Sequence, residues 1–341
     1  AAGHKVTGSD ANVYPPMSDQ LKDAGIELTQ GYNAEDISVA PDLWVIGNAI
    51  GRGNPLLEEI LDRGLPYTSG PQWLSENVLR GRHVLAVAGT HGKTTTSSML
   101  LHILSKAGLE PGWLIGGVPF GTHASAGLGK SKYFVIEADE YDTAFFDKRS
   151  KFIHYRPRVL AINNIEFDHA DIFRDLYDVK RTFTHVRRIV SPLGAIVENG
   201  DDENIASLEP TPWVRRIKVG FSDSCDVRIS DFVQSGESSS FKVSGFGVEK
   251  CVEWGLQGEF NARNAAMAIA GASIIAGLEN PLAIPAECLV DFKGVRRRQE
   301  VILNTPSVVA VEDFGHHPTA IEMTVASLRR KYPDFKIWAC F

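Results

Sequence analysis

Seven consecutive residues, Gly89-Thr90-His91-Gly92-Lys93-Thr94-Thr95, have the types and the order needed to hold a polyphosphate. Glycines let backbone N–H groups turn toward phosphate oxygens, and the start of a following helix adds a favourable dipole. Lys93 can then reach the β and γ phosphates, and the Thr94 hydroxyl can bind Mg²⁺. The general pattern G-x-x-x-x-G-K-[ST] asks for glycine where Val87 stands, so this is a shortened variant. A chance glycine turn is the alternative. The setting speaks against it, because an apolar run ends at Ala88 and a helical pattern begins at Lys93.

Two acidic groups follow apolar runs in the same way. Tyr133-Phe134-Val135-Ile136 leads into Glu137-Ala138-Asp139-Glu140. The carboxyl ends of parallel strands form the ligand edge of such a sheet, so Glu137 is expected to face the phosphates and hold the metal that bridges their oxygens. Asp139 and Glu140 read as a solvated turn. A third strand ends in Asn163-Asn164-Ile165-Glu166-Phe167-Asp168-His169. There, the His169 imidazole is open to three readings: second-metal ligand, contact to a substrate acid, or structural histidine. No Ser-His-Asp or Cys-His arrangement stands out, so no covalent nucleophile is expected.

Positioning these groups requires a parallel sheet with strands at His83 to Val87, Tyr133 to Glu137 and Val159 to Asn163, and a helix from Lys93 to Lys106. Upstream, Lys5 to Asp10 reads as a strand ending in an acid. At the end of a second βαβ strand, Asp10 would contact a nucleotide ribose or base, and a glycine-rich turn is expected before it. A strand at Leu43 to Ile46 and a helix from Pro55 to Arg63 continue the alternation to about Arg80. The stretch Arg215 to Trp254 predicts an antiparallel flap or small sheet. Asn261 to Ala276 is a helix of small residues. A last unit begins near Pro306, with a strand at Val308 to Val311, a helix from Pro318 to Lys331 and a strand at Phe335 to Ala339, and stops at Phe341 in mid-pattern.

At 341 residues, two or three domains are expected. Hydrophobic residues at 43% and charged residues at 23% exclude a disordered or fibrous chain. No apolar run approaches the roughly 20 residues that span a bilayer, and no signal segment opens the chain, so no membrane insertion and a cytoplasmic location are expected. Cys225, Cys251, Cys288 and Cys340 lack metal or disulfide spacing. The net charge of −7 offers no general attraction to nucleic acid, and no nucleic-acid partner is expected.

Taken together, the motifs resemble those of the Mur ligase family, whose members join amino acids or peptides to UDP-N-acetylmuramate derivatives. The resemblance rests on Gly89 to Thr95, Glu137 to Glu140, Asp168-His169, Gly258-Glu259-Phe260-Asn261-Ala262-Arg263-Asn264, the arginine group ending at Arg298, and Asp313-Phe314-Gly315-His316-His317-Pro318. The phosphate loop and Phe314 to Pro318 are similar to the branch that uses UDP-N-acetylmuramate itself. Gly8 to Ser18, Gly51-Arg52-Gly53-Asn54-Pro55 and Tyr141 to Phe152 resemble members that attach the murein tripeptide L-alanyl-γ-D-glutamyl-meso-diaminopimelate in wall recycling. Addition of L-alanine is the competing reading.

The resemblance implies an α/β fold of three domains: a Rossmann-like UDP-sugar domain at 1–81, a central phosphate-loop ATPase domain at 82–304 and the start of an amine-binding domain at 305–341. It implies ATP and Mg²⁺ as cofactors, and UDP-N-acetylmuramate and the tripeptide as small-molecule substrates joined through an acyl phosphate. Lys93, Glu137 and His169 would be catalytic, and Thr94, Glu137 and His169 would hold metal. Gly89, Thr90, His91, Gly92, Lys93, Thr94, Thr95, Asn261 and Asn264 would bind ATP. Arg298 and Asp313 would contact phosphate and ribose or help close the site. Helix-capping asparagines and a surface arginine run are the plainer readings of those residues. The family motif often has histidine where Phe260 stands, and Lys180 is the nearest candidate for the carbamylated lysine of several relatives. A nucleotide-dependent switch using the same loop is the non-ligase alternative.

Overall fold

In the computed structural model, residues 1–15, 17–122 and 124–340 are described, so Pro16 of the Gly8 to Ser18 segment lies outside the described residues. The chain divides into two units, Ala1–Arg80 with Tyr141–His154, and Gly81–Glu140 with Tyr155–Phe341. In the first, β1 (Thr7–Asp10) pairs in parallel with β2 (Glu27–Gln30) and is joined to it through α1 (Met17–Asp23). Likewise β3 (Trp44–Ile46) pairs with β4 (Tyr67–Ser69) through α2 (Pro55–Asp62), and the short α3 (Gly70–Leu74) follows. Asn54 starts α2 by accepting the Leu57 N–H at 3.1 Å, with Pro55 at the first helical position. The helix then buries Leu56, Leu57 and Ile60 against Ile37 and Ile46.

The second unit opens with β5 (His83–Ala88), α4 (Lys93–Lys106), β6 (Gly112–Leu114), β7 (Ala126–Gly127) and β8 (Tyr133–Glu137). The hairpin β9 (Asp142–Ala144) and β10 (Asp147–Ser150) belongs to the first unit. The second resumes with β11 (Val159–Ile162), α5 (Leu176–Arg188) and β12 (Ala195–Asn199), then β13 (Arg215–Gly220), β14 (Val227–Ser235), β15 (Ser238–Gly245) and β16 (Val248–Trp254). These strands form a sheet in the order β16-β15-β14-β13-β12-β11-β5-β8-β6-β7. Its centre, β12-β11-β5-β8-β6, is parallel. From β5 the chain builds β6 and β8 on one side and then crosses to β11 and β12 on the other. That reversal opens a crevice at the carboxyl ends of β5, β8 and β11, where the motifs stand.

The central strands are apolar on both faces, as a covered parallel sheet requires: Leu85, Val87, Val135, Val159, Ala161 and Val197 are all buried. Helix α6 (Glu203–Ala206) is a single turn, and α7 (Glu259–Ile275) is buried around most of its circumference, which suits its run of alanines. A Cβ on Gly271 would already stand 3.4 Å from Leu100 of α4 and Leu85 of β5, so small residues are what let α7 approach both.

The sequence reading differs from the structure in two elements. Arg215 to Trp254 does not make a small sheet of its own, because β13 pairs in parallel with β12 and carries β14 to β16 onto the edge of the main sheet. No strand forms at 335–339 either. A strand needs a neighbour for its N–H and C=O groups, and none pairs there among the described residues. Strands β17 (Glu300–Asn304) and β18 (Val309–Glu312) pair as a separate antiparallel ribbon before α8 (Pro318–Lys331). Residues 305–341, read as the start of a third domain, group with the second unit.

Arg187 of α5 has 0% exposure and lies against Glu198 of β12, with 3.7 Å from Nη2 to Oε2, and Glu198 also accepts from Arg216 Nε at 3.1 Å. Burial pulls the Arg187 guanidinium below its ordinary range, and the Glu198 charge opposes this. Glu198→Ala therefore leaves a buried cation uncompensated and is expected to cost about 3–5 kcal/mol in urea unfolding. A loss below about 1 kcal/mol would show that Arg187 needs no carboxylate.

Candidate functional site

The phosphate loop is bounded by two glycines that no other residue replaces without strain. Gly89 and Gly92 have φ of 140° and 80°, and a Cβ on Gly92 would lie 2.9 Å from Asn264 Oδ1 and 3.0 Å from Asn163 Nδ2. Thr90 and His91 are held by the segment after β11. The Thr90 hydroxyl accepts the Glu166 N–H at 2.8 Å, and Asn164 Oδ1 accepts the His91 N–H at 2.9 Å. Asn164 Nδ2 donates to the His91 carbonyl at 3.0 Å, which fixes the amide's orientation and leaves Nδ2 facing His91 Nδ1 at 2.9 Å. By this network Nδ1 accepts, and His91 Nε2–H donates to Glu166 Oε1 at 2.9 Å.

Glu166 also accepts from the Thr319 hydroxyl at 2.6 Å, and His317 Nδ1 lies 3.5 Å away. Burial pushes the Glu166 carboxyl up, but the donors Thr319 and His91 outweigh it and hold it below its ordinary value. Burial pulls the His91 imidazole down, against the pull of Glu166. His91, Glu166 and His317 bring their ligand atoms within 4.8 Å of one another, as a metal site would. The proton on His91 Nε2 occupies the position a metal would need, so the cluster is a hydrogen-bonded hub joining the loop to the start of α8.

Lys93 begins α4 and points to the end of β8, where its Nζ donates to Glu140 Oε2 at 2.8 Å. Glu140 has 2% exposure, which corrects its reading as a solvated turn. Burial pulls the Lys93 ammonium down, yet Glu140, Asp139 and Glu137 together outweigh it and keep its pKa raised. Glu137 accepts the Thr94 hydroxyl at 3.1 Å and the Gly116 N–H at 2.7 Å. His169 is held at φ 59°, an uncommon conformation outside glycine, with Nε2 3.5 Å from Glu140 Oε1 and 3.8 Å from Asp168 Oδ2. Burial pulls its pKa down, but the hydrogen bond and charge of Glu140, with Asp168, raise it above the ordinary value. Asp139, Glu140 and His169 place one donor atom each within 4.8 Å. With Thr94 and Glu137 beside them, this oxygen-rich set suits a hard divalent cation.

A cleft of about 180 Å³ lies beside the loop, and His91, Gly92, Thr94, Thr95, Asn261, Asn264, Arg298 and Asp313 line it. Arg298 Nη2 donates to the Thr94 hydroxyl at 3.1 Å, so it is not a free surface arginine. Asp313 turns both oxygens to backbone, accepting Gly315 N–H at 2.7 Å and Gln299 N–H at 2.9 Å. Asn261 and Asn264 lie inside α7, not at its cap, with Asn261 Nδ2 on the Gln257 carbonyl at 2.8 Å. Phe260 lines the cleft with its ring against Gly258. Asp10 belongs to the first unit, where it accepts Asn12 N–H at 3.1 Å and Tyr32 O–H at 3.3 Å. Lys180 sits half-buried on α5. The sequence reading missed Glu140, the roles of Asn164 and Glu166, and Gln257.

Comparison with known proteins identifies the family. The family described as the Mur ligase middle domain matches residues 87–272, and the one described as the Mur ligase family, catalytic domain, matches residues 1–82. The chain is 49% identical to the UDP-N-acetylmuramate–L-alanyl-gamma-D-glutamyl-meso-2,6-diaminoheptandioate ligase of Escherichia coli (strain K12), over 96% of this chain and 71% of that protein. It is 32% identical to the UDP-N-acetylmuramate–L-alanine ligase of a Sulfurihydrogenibium species, over 99% of this chain and 71% of that protein. A crystal structure of the UDP-N-acetylmuramate:L-alanyl-gamma-D-glutamyl-meso-diaminopimelate ligase from Neisseria meningitides matches with a TM-score of 0.80 at 46% identity. That match covers 87% of this chain and 93% of that one.

The Lys93–Glu140 pair makes a stability prediction. Glu140→Gln leaves the shape but removes the charge opposite a buried ammonium, and should destabilise the unliganded protein by about 2–3 kcal/mol in chemical denaturation. Unchanged stability would mean that Asp139 and Glu137 suffice to hold Lys93.

Proposed function

The chain belongs to the Mur ligase family, and on that premise we propose that it joins UDP-N-acetylmuramate to L-alanyl-γ-D-glutamyl-meso-diaminopimelate at the expense of ATP, a cytoplasmic step of peptidoglycan recycling. The observation that carries this reading is the convergence of Lys93, Glu137, Glu140 and His169 at the ends of β5, β8 and β11, beside a phosphate loop. The 49% identity to the tripeptide-adding enzyme against 32% to an L-alanine-adding one supports the choice of amine.

A carboxylate is a poor electrophile and needs activation before an amine attacks it. The lactyl carboxylate attacks the γ-phosphorus of ATP, the bond to the β–γ bridging oxygen breaks, and ADP leaves with that electron pair. The acyl phosphate then accepts the α-amine of the peptide, and the tetrahedral intermediate expels phosphate. Thr94, Glu137 and His169 would hold Mg²⁺, which when bound neutralises charge on the phosphate oxygens. Lys93 supplies a fixed positive charge to the same oxygens, and its acidic neighbours keep it protonated through the working pH range. The N–H groups at the start of α4 and the Gly92 turn orient the polyphosphate. Asn261 and Asn264 line the nucleotide cleft, while Arg298, bonded to Thr94, and Asp313 order its edge. In this reading the first unit takes the UDP-sugar, with Asp10 at the end of β1 toward the nucleotide, and residues from 305 begin the amine-binding domain.

Mass spectrometry of the products from the full chain with ATP, Mg²⁺, UDP-N-acetylmuramate and each amine tests the assignment. The tripeptide adduct is expected in excess of the L-alanine adduct, and the reverse result would move the chain to the L-alanine-adding branch. Phosphate release without either adduct would favour a nucleotide switch. Lys93→Ala should abolish ligation and also lower stability, because it leaves the Glu140 carboxylate buried without its cation; near-normal turnover in the folded variant would reject the loop.

His169 separates activation from nucleotide binding. His169→Ala should bind ATP with Mg²⁺ near normally, since Thr94 and Glu137 remain, yet form little acyl phosphate, which can be trapped by reduction to an alcohol. Undiminished trapping would make His169 a structural residue.

A further inference from the structure

The nucleotide cleft contains a buried side chain to which neither the sequence reading nor the mechanism above gives a role. Gln257 is 5% exposed and lines the cleft, and neither its Oε1 nor its Nε2 has a hydrogen-bond partner. A primary amide is one acceptor and a two-proton donor, and buried amides are normally satisfied on both sides. Its backbone is well held: the Gln257 carbonyl accepts Asn261 Nδ2 at 2.8 Å, and the next N–H, of Gly258, donates to Gln234 Oε1 at 3.2 Å. Gln234 in turn donates to the Ser327 carbonyl of α8 at 3.2 Å. The backbone at Gln257 is therefore held, while the buried amide keeps its hydrogen-bonding capacity unspent.

Its position along the cleft identifies the kind of group it faces. Asn264 marks the phosphate end, because its Oδ1 would stand 2.9 Å from a Cβ on Gly92. Asn264 Nδ2 reaches back to Asn261 Oδ1 at 3.4 Å, and Asn261 Nδ2 to the Gln257 carbonyl. This ladder runs from the loop toward the start of α7, and Gln257 stands two residues before the helix begins, at the end of the ladder away from Gly92. Leu256 and Phe260 flank Gln257 in sequence and line the cleft, and Gln234 links the next residue to Ser327 of α8, the helix that contributes Met323 and Leu328 to the lining, with Tyr332 just beyond its end. A nucleoside triphosphate whose phosphates lie on the loop would bring its base to such a surface.

Resting on the nucleotide reading above, we propose that Gln257 is a specificity-determining residue that reads the edge of the purine base, pairing Oε1 with an exocyclic amine and Nε2–H with the adjacent ring nitrogen. Adenine offers that donor–acceptor pair side by side, N6–H with N7. Guanine offers two acceptors, O6 and N7, on the same edge, and leaves the amide oxygen facing a lone pair.

The test is calorimetric titration of the full chain and its variants with ATP, GTP and inorganic tripolyphosphate, each with Mg²⁺. Gln257→Leu should weaken ATP roughly tenfold or more, as the loss of a bidentate amide–base pair does. The preference for ATP over GTP should fall by a similar factor, and tripolyphosphate should bind as before. Gln257→Glu, which keeps the size but loses the donor, should also weaken ATP selectively. The free Gln257→Leu protein should melt no lower than wild type, because it loses a buried amide that had no partners. Equal weakening of ATP and tripolyphosphate, an unchanged ATP–GTP preference, or a lower melting point of the free variant would overturn the assignment and leave Gln257 structural. A wild-type protein that binds neither ATP nor tripolyphosphate would instead overturn the nucleotide reading itself, and this inference with it.

Discussion

Lys93 carries its charge on a side chain that is only 12% exposed, and the ends of β8 and β11 are arranged around that fact. An isolated buried ammonium would lose its proton, so the fold supplies Glu140 at 2.8 Å, with Asp139 and Glu137 near enough to raise its pKa despite burial. Those carboxylates stand there because β8 pairs in parallel with β5, so that both strands end on the same edge of the sheet. The same carboxylates lie close to His169 and Thr94, so one electrostatic arrangement that holds a cation of the protein would also suit a divalent ion. Their mutual repulsion is tolerable while Lys93 sits among them, which makes the lysine a structural counter-ion in addition to the phosphate-binding role proposed for it.

The fold was legible wherever periodicity and punctuation coincided. Helix α4 at Lys93–Lys106 and strand β8 at Tyr133–Glu137 follow directly from a glycine turn and an apolar run. The stretch from Arg215 to Trp254 was read as a small sheet because its alternation is a local property. Which edge it joins is decided by β13 pairing with β12 through a connection that local pattern does not describe. In the site, Lys93, Thr94 and Glu137 were legible because their types and order are tied to the loop. Glu140 was not, since an acidic residue after a strand usually faces water, and only its pairing with Lys93 makes burial tolerable. Gln257 carried no signal at all: a glutamine beside a glycine is ordinary until its surroundings are seen to leave both amide atoms without partners.

Helix α7 shows how packing and chemistry were met by one sequence. Its alanines and Gly271 let it lie close to α4 and the sheet, and a helix so buried has little room for polar side chains. Asn261 and Asn264 are accommodated because they bond along the helix, to the Gln257 carbonyl and to one another, while still lining the cleft. A longer side chain at Asn264 would press on Gly92, and any side chain at Gly92 would press on Asn264. The loop and the helix therefore constrain each other, and neither is free to vary alone.

Rigidity of the loop before any ligand arrives follows from the segment after β11. Thr90 and His91 are bonded there through a hydroxyl, a backbone N–H, a carbonyl and both imidazole nitrogens, and the Asn164 amide fixes which nitrogen bears the proton. Donors held in place in this way need no reorganisation when charge develops on a bound phosphate, and that is where an enzyme gains most from a polar site. Glu166 extends the constraint to Thr319 at the start of α8, whose later turns supply Met323, Leu328 and, just beyond its end, Tyr332 to the cleft. The hub thus fixes the loop that faces the phosphates and the helix that walls the opposite end of the same cleft. Hydrogen bonds to a single carboxylate therefore couple the loop to the start of the helix whose later turns line the same cleft, so a shift of either is felt by the other.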